Sequence, residues 1–156
     1  MKGLRGATLT DLAAIEDFQR AAYARTEAVI GARAIPLEWD YRKVMAECEI
    51  WLDERDGALA GVLILRILED RLFLESIATA EQVSESGVGR TLMATAFARA
   101  RKLGLKRVEL ITNGRNPAVG WYRKLGFSVD REEQQPDRQV LHMSVPVAGD
   151  PTSPAE

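Results

Sequence analysis

The stretch LFLESIATAEQVSESGVGRTLMATAFARARKLG, residues 72–104, contains an apolar strand, a turn of small residues and an amphipathic helix. Alternation over residues 72–79 predicts a strand with two distinct faces. Apolar residues at intervals of three and four, from Leu92 to Leu103, predict the helix, and Gly104 is placed to end it. One face of the strand is predicted to carry Leu72, Leu74, Ser76 and Ala78, and the other Phe73, Glu75, Ile77 and Thr79.

The turn between this strand and helix reads Ser-Glu-Ser-Gly-Val-Gly at residues 84–89. Its two glycines let several backbone N–H groups point at one spot at the positive end of a helix, which favours a phosphate site. A tight strand-to-helix connection is the simpler alternative. A dinucleotide fingerprint would need glycine in place of Leu92, and a Walker loop would need a Gly-Lys-Ser/Thr sequence that the chain lacks. Both nucleotide motifs are therefore excluded.

Composition predicts one globular domain, because 46% of the 156 residues are apolar and 28% are charged. We expect this domain over residues 1–147 and a flexible tail over residues 148–156. A net charge of −2 argues against nucleic acid or an anionic membrane as partner. The one cysteine, Cys48, excludes an internal disulfide and fits a reducing, cytoplasmic location. We find no apolar run of signal-peptide or membrane-span length.

Periodicity and turn signals predict the remaining elements. We expect a first helix from residue 8 to about residue 25, an irregular segment over 26–37, a second helix after it that buries Trp39, Val44 and Met45, and a further helix over 117–125. Strands are predicted at residues 3–7, 49–55, 58–68, 107–112, 127–132 and 140–145. A tight turn at Asp56-Gly57 joins the second and third strands, and a polar loop of residues 133–138 joins the last two. The order is βααβββαβαββ, in a mixed and mostly antiparallel sheet.

The sequence resembles the GNAT N-acetyltransferase superfamily at the turn of residues 84–89. The family pattern is Arg/Gln-x-x-Gly-x-Gly/Ala at the head of a helix, and Gly87 and Gly89 match it. Ser84 departs from the pattern at its first position, and Glu85 adds a negative charge beside the expected anion. Backbone N–H groups would therefore carry most of the phosphate binding.

A second GNAT pattern is Ala118-x-x-x-Tyr122-x-x-x-Gly126-Phe127. The family's usual asparagine is displaced by one position here, at Asn116. The element order is also that of the family, so the resemblance covers nearly the whole chain. It implies an α/β (α+β) fold, the GNAT acyl-CoA N-acyltransferase fold, in which the fourth and fifth strands form a parallel pair that splays apart.

The resemblance implies acetyl-CoA as co-substrate and no metal. The turn would hold the diphosphate, and the pantetheine arm would lie along the edge of strand 72–79. Tyr122 would protonate the departing thiolate, with aromatic packing beside Trp121 as the alternative role. For Asn116 we favour capping of the following helix over pantetheine contact. The implied coenzyme-binding residues are Ile77, Ala78, Thr79, Ser84, Glu85, Ser86, Gly87, Val88, Gly89, Arg90, Thr91, Asn116, Ala118 and Tyr122.

Acyl transfer needs a base, because the amine must attack in its neutral form. Glu75 is our candidate, since it is an acidic residue within an apolar strand, where burial favours a carboxyl that can take a proton. Pairing of this carboxylate with Arg66 or Arg131 is an equally good interpretation. Backbone N–H groups near residues 77–79 would stabilise the oxyanion, and direct attack requires no acyl-enzyme.

Other residues are weaker candidates for a site. The single histidine, His142, has no metal-ligating neighbours in sequence, and Cys48 is expected to be a packing residue. Trp39, Tyr41 and Trp51 either line an acceptor pocket or fill the core. By resemblance, residues 23–41 and 132–138 flank the acceptor and decide substrate choice.

These features predict an N-acetyltransferase that moves an acetyl group from acetyl-CoA to a primary amine of an unidentified small molecule or peptide. A second hypothesis is a non-catalytic acyl-CoA-binding sensor or scaffold of the same fold, motivated by Ser84, Glu85 and the displaced Asn116. A third is transfer to a hydroxyl group or of a longer acyl chain. A homodimer is expected from the resemblance alone.

Overall fold

The computed structural model describes residues 4–31, 34–81 and 87–147. Within these residues, strands and α-helices follow one another in the predicted order βααβββαβαββ. Short 3₁₀ helices at Leu9–Asp11 and Ile35–Glu38 precede the first and second α-helices. The elements are β1 (Arg5–Gly6), α1 (Leu12–Ile30), α2 (Tyr41–Glu47), β2 (Glu49–Arg55), β3 (Ala58–Ile67), β4 (Arg71–Thr79), α3 (Val88–Lys102), β5 (Arg107–Asn113), α4 (Ala118–Lys124), β6 (Ser128–Gln135) and β7 (Arg138–Pro146).

The strands form one seven-stranded sheet in the order β1-β2-β3-β4-β5-β7-β6. Neighbouring strands are antiparallel except for the parallel pair β4–β5. One face packs against α3 in a cluster that includes Leu63, Leu92 and Val108. The other face packs against α1 and α2 in a cluster that includes Ile15 and Val62. We call these the α3 face and the α1 face. This architecture confirms the predicted fold.

The parallel pair separates soon after it begins. Pairing of β4 with β5 extends only from Arg71 and Arg107 to Phe73 and Glu109. Beyond that point β5 remains paired with β7 along its length, whereas none of the described strands pairs with the edge of β4 that faces β5. The predicted splay is therefore present, and it opens toward the end of β4 nearest α3.

A β-bulge interrupts the pairing of β4 with β3. Ile64 pairs with Ser76 and Leu65 pairs with Leu74, so Glu75 is an extra residue in β4. An extra residue reverses the faces of all side chains that follow it, because alternation has a period of two.

The bulge overturns the predicted faces of this strand. Leu72 and Leu74 pack on the α3 face, whereas Ser76, predicted to share their face, hydrogen-bonds to side chains of α1. Ile77 returns to the α3 face. The prediction that Glu75 and Ile77 lie on one face is therefore wrong, because periodicity alone does not reveal an inserted residue.

Two boundaries also differ from the prediction. Helix α1 continues to Ile30 rather than ending near residue 25, because burial of Ile30 outweighs the low helix propensity of its β-branched neighbours. It ends at Gly31, whose φ of 76° suits glycine. The expected polar loop of residues 133–138 is mostly strand: Glu133 pairs with Val140, and only Pro136 and Asp137 form the turn. The predicted tail, residues 148–156, lies outside the described residues.

Candidate active site

A cleft occupies the gap between β4 and β5, with a volume of about 340 Å³. Its walls include residues 74–79 of β4, the start of α4 and one side of α1. The Ala80 N–H donates to the Ala60 carbonyl of β3 at 2.9 Å. Because successive strand residues direct their backbone groups to opposite edges, the N–H groups of Ile77 and Thr79 point into the cleft. The backbone N–H and C=O groups of Ala78 point toward β3, although the residue lines the cleft.

Helix α3 begins beside this cleft without a side-chain cap among the described residues. Gly87 precedes it with a φ of 89°, a conformation that favours glycine. The Thr91 N–H and Oγ1 both donate to the Gly87 carbonyl, at 3.0 and 3.1 Å. The preceding N–H groups belong to the first turn, which has no intrahelical acceptors, and residues 4–31, 34–81 and 87–147 supply no side-chain cap for them. The predicted contacts Ser84, Glu85 and Ser86 lie outside the described residues.

Close packing fixes the position of this helix start. A Cβ on Gly61 of β3 would lie 2.8 Å from Val88 Cγ1, so only glycine lets α3 approach the sheet here. Gly61 pairs with Thr79, which places the first turn of α3 against the last residue of β4. On the other side, a Cβ on Gly89 would meet the Trp121 ring at 3.7 Å. Arg90 Nη2 lies 3.1 Å from the position that a Cβ on Gly87 would take.

Tyr122 lines the cleft from α4 and is 7% exposed. Its ring packs against Trp121 and Phe127, with centroid distances of 5.6 and 5.8 Å. Burial raises the pKa of its phenol well above the usual value, and the proximity of Tyr23 adds to this effect. The packing role suggested as the alternative is therefore present, in a residue that also lines the cleft.

Asn116 caps α4, as the sequence analysis favours. Its Oδ1 accepts from the Ala118 N–H at 2.9 Å, and its Nδ2 donates to Thr112 Oγ1 at 3.1 Å. The assigned helix begins at Ala118 rather than at residue 117, a shift of one residue. Asn116 and Ala118 also line the cleft.

A second cavity, of about 580 Å³, adjoins the cleft on the α1 face. Apolar side chains such as Trp39 and Phe73 make up much of its wall. Two ion pairs also lie there, Arg66 with Glu75 and Arg71 with Glu109. We call this space the acceptor cavity, for the role that we propose for it. The residues that line both spaces are Tyr23, Thr26, Glu75, Ile111, Thr112 and Asn116.

Glu75, the extra residue of the bulge, lies at this junction. Its Oε2 accepts from Arg66 Nε at 2.7 Å, and its side chain is 20% exposed. Arg66 also contacts Glu47 at 3.3 Å. The pairing with Arg66 that the sequence suggested is therefore present, and the carboxylate nevertheless borders both the cleft and the acceptor cavity.

Sequence reasoning missed the hydroxyl of Tyr23, which projects from α1 to the same junction. Its oxygen lies 2.6 Å from Ser76 Oγ, which also accepts from Gln19 Nε2 at 3.0 Å. Either hydroxyl can donate in the contact between Tyr23 and Ser76. Desolvation raises the pKa of Tyr23, against the effect of the Ser76 hydrogen bond. Tyr23 stands one turn after Gln19 on α1, but nothing in the sequence places either beside Ser76.

Most of the other candidate residues take structural roles. Trp39 lines the acceptor cavity, Tyr41 is buried in the α1-face cluster, and Trp51 packs under Arg99. Burial raises the pKa of the Cys48 thiol, which makes it a poor nucleophile. His142 contacts Glu133 and Arg131. Over residues 4–31, 34–81 and 87–147, no three His, Cys, Asp or Glu residues are grouped to hold a metal ion.

Comparison with known proteins bears on this site. The family model described as acetyltransferase (GNAT) family matches residues 8–127. The chain therefore belongs to the GNAT acetyltransferase family. A search of curated proteins finds no match. None of the described helices has the length and apolarity to cross a membrane.

Solved structures share the fold. The ribosomal-protein-S18-alanine N-acetyltransferase from Escherichia coli is 19% identical with a TM-score of 0.77, and the match covers 100% of both chains. The PaiA N-acetyltransferase from Thermoplasma acidophilum, in complex with coenzyme A, is 19% identical with a TM-score of 0.79, over 94% of this chain and 99% of that one. A nourseothricin acetyltransferase is 30% identical with a TM-score of 0.60, over 65% and 66% of the two chains.

Proposed function

We propose that this chain transfers an acetyl group from acetyl-CoA to a primary amine by direct attack. The observation that supports this most is the open edge of β4, which ends near the start of α3, a start without a side-chain cap over the described residues. An amide-rich pantetheine arm can bond to such an edge as an added strand would, while the helix start receives the diphosphate. The coenzyme A complex of the Thermoplasma neighbour supports this choice of co-substrate.

In this proposal the thioester carbonyl lies against the N–H groups of Ile77 and Thr79. These donors stabilise the negative charge that develops on the carbonyl oxygen, an effect worth about 3 kcal/mol per donor. Because the donors belong to a paired strand, they need no rearrangement as the charge forms. The cleft thus supplies the oxyanion site.

The amine reaches the same carbonyl carbon from the acceptor cavity. Its nitrogen forms the new bond to carbon, the C–S bond breaks, and the nitrogen loses one proton. Glu75 accepts that proton, because its carboxylate borders both spaces. Tyr122 donates a proton to the departing thiolate, and its raised pKa keeps the phenol protonated for this role. One proton therefore passes, in net terms, from nitrogen to sulfur.

A thiol-release assay tests the proposed activity. The purified chain is mixed with acetyl-CoA and a panel of amines, and free thiol and acetylated product are measured. The panel includes polyamines, aminoglycoside-like amines and a peptide with an N-terminal alanine, the last because the Escherichia coli neighbour is named for that activity. We expect thiol release that depends on one of these amines. A chain that binds acetyl-CoA but acetylates no amine would support the sensor or scaffold hypothesis instead.

A further inference from the structure

Arg25 projects from α1 to the end of β4 nearest α3. Its Nη2 donates to the Thr79 carbonyl at 2.6 Å, and its side chain is half-buried. Arg25 lines the cleft and also a neighbouring cavity of about 400 Å³, whose wall includes Thr79, Asp56 and Glu81. The guanidinium is therefore held at the mouth of the cleft by a backbone group.

The charge of Arg25 has no carboxylate partner in the part of the chain that the structure describes. By contrast, Arg66 and Arg71 in the acceptor cavity each form salt bridges, and Arg20, on the same helix as Arg25, pairs with Asp17. One N–H of the Arg25 guanidinium is used by Thr79, and four remain for another acceptor. A planar, permanently charged fork with free donors is suited to a phosphate.

The start of α3 approaches the same place from the opposite face of the sheet. Thr79 pairs with Gly61, and Gly61 lies directly under Val88, the first residue of α3. Arg25 reaches Thr79 from α1. Gly61 and Thr79 are thus one pair of neighbouring strand residues, which the start of α3 approaches from one face of the sheet and Arg25 from the other.

We propose that Arg25 binds the diphosphate of the coenzyme together with the first turn of α3. This inference rests on the proposed function, since it concerns the coenzyme of that reaction. It gives a physical reason for the departure of the phosphate turn from the family pattern: Ser84 supplies no long donor, and Arg25 supplies one from a different element. The diphosphate is favoured over the 3′-phosphate because it is bonded directly to the pantetheine arm, which lies along β4.

Calorimetric titrations with coenzyme A, dephospho-coenzyme A and pantetheine test this proposal. For Arg25→Ala we expect affinity for both diphosphate-containing ligands to fall about 10- to 100-fold, as for loss of a hydrogen bond to a charged group. Affinity for pantetheine should change little. Arg25→Lys keeps the positive charge but loses the planar pair of donors. Its affinity for the diphosphate-containing ligands should lie between those of the wild type and Arg25→Ala. Arg20→Ala is the matched control on the same helix and should bind as the wild type does.

Each other outcome has a distinct meaning. If Arg25→Ala binds coenzyme A as tightly as the wild type, the proposal for Arg25 is overturned while the proposed function stands. An equal loss of affinity for all three ligands would mean that Arg25 supports the Thr79 backbone and does not bind the phosphate. Loss confined to coenzyme A would assign Arg25 to the 3′-phosphate. A wild type that binds no coenzyme would overturn the proposed function itself. Circular dichroism and the unfolding temperature of each variant establish that it is folded.

Discussion

The phenol oxygen of Tyr23 lies 2.6 Å from Oγ of Ser76, the residue after the bulge in β4. The bulge turns Ser76 from the α3 face to the α1 face, and the hydrogen bond joins it to α1 there. This contact lies where the cleft meets the acceptor cavity, because Tyr23 lines both.

The Tyr23–Ser76 bond is expected to contribute to stability. Tyr23→Phe should lower the free energy of unfolding by about 1 kcal/mol, because the buried hydroxyl of Ser76 loses a hydrogen-bond partner. The Tyr23→Phe, Ser76→Ala double variant should lose less free energy of unfolding than the two single variants lose together. The difference, the coupling energy, should be about 0.5 kcal/mol or more. Urea unfolding of the four proteins measures this. Additive effects would show that the two hydroxyls do not act as a pair.

Tyr122→Phe separates binding from turnover. We expect kcat to fall by about 10²- to 10⁴-fold, as for loss of a general acid, with the Kd for acetyl-CoA nearly unchanged. Burial raises the pKa of Tyr122, so the acid form persists above pH 10, the ordinary value, and the wild-type rate should show no Tyr122-dependent decline below that pH. Tyr41→Phe is the control, because Tyr41 is buried in the α1-face cluster. Unchanged kcat in Tyr122→Phe would leave this residue with a packing role alone.

Glu75 and Glu109 offer a matched comparison of two arginine-paired carboxylates in one cavity. Only Glu75 also borders the cleft. Glu75→Gln should therefore lower kcat by about 10²-fold or more through loss of the base, whereas Glu109→Gln should affect mainly KM. Steady-state kinetics from pH 6 to pH 10 would show the difference. Similar small effects of the two substitutions would mean that Glu75 is a structural ion-pair partner.

Gly61 is expected to be essential for the packing of α3 against the sheet. Gly61→Ala would place a methyl group 2.8 Å from Val88 Cγ1, and the resulting overpacking should cost about 1–3 kcal/mol. Gly120→Ala is the control: Gly120 is in α4 with open space around it, so alanine should stabilise the helix by about 0.5–1 kcal/mol. Thermal unfolding compares both with the wild type. A Gly61→Ala protein as stable as the wild type would contradict the close contact between α3 and β3.

The sequence predicts much of this molecule because its strongest signals are local. The alternation in β5, the Asp56-Gly57 turn and the glycine at the end of α3 each depend on neighbours in the chain, and the structure has all three. The sequence predicts the end of α1 about five residues too early, because the helix is extended by burial of Ile30 against other elements, which is a tertiary effect. The hairpin β6–β7 was predicted too short because its residues are polar on an edge strand, where alternation of apolar residues is weak.

The motifs of the site could be predicted from the sequence, but the contacts between its residues could not. Tyr122 and Asn116 line the expected cleft because their helix follows β5 directly. The bulge at Glu75 has no signature in the sequence, and without it the contact of Ser76 with Tyr23 could not be foreseen. Arg25 was equally hidden, because its contact with Thr79 joins residues far apart in the chain. Long-range contacts of this kind carry no periodic pattern.

Thermal unfolding in the presence of acetyl-CoA tests most directly whether the cleft beside β4 holds this coenzyme. A ligand at a hundredfold excess over its Kd stabilises the folded chain by about 2.7 kcal/mol. For a domain of this size that corresponds to a rise in Tm of about 5–10 °C. We expect such a rise, and a smaller one for Arg25→Ala at the same concentration. A Tm that does not change at millimolar acetyl-CoA would contradict the assignment of the cleft as a coenzyme site.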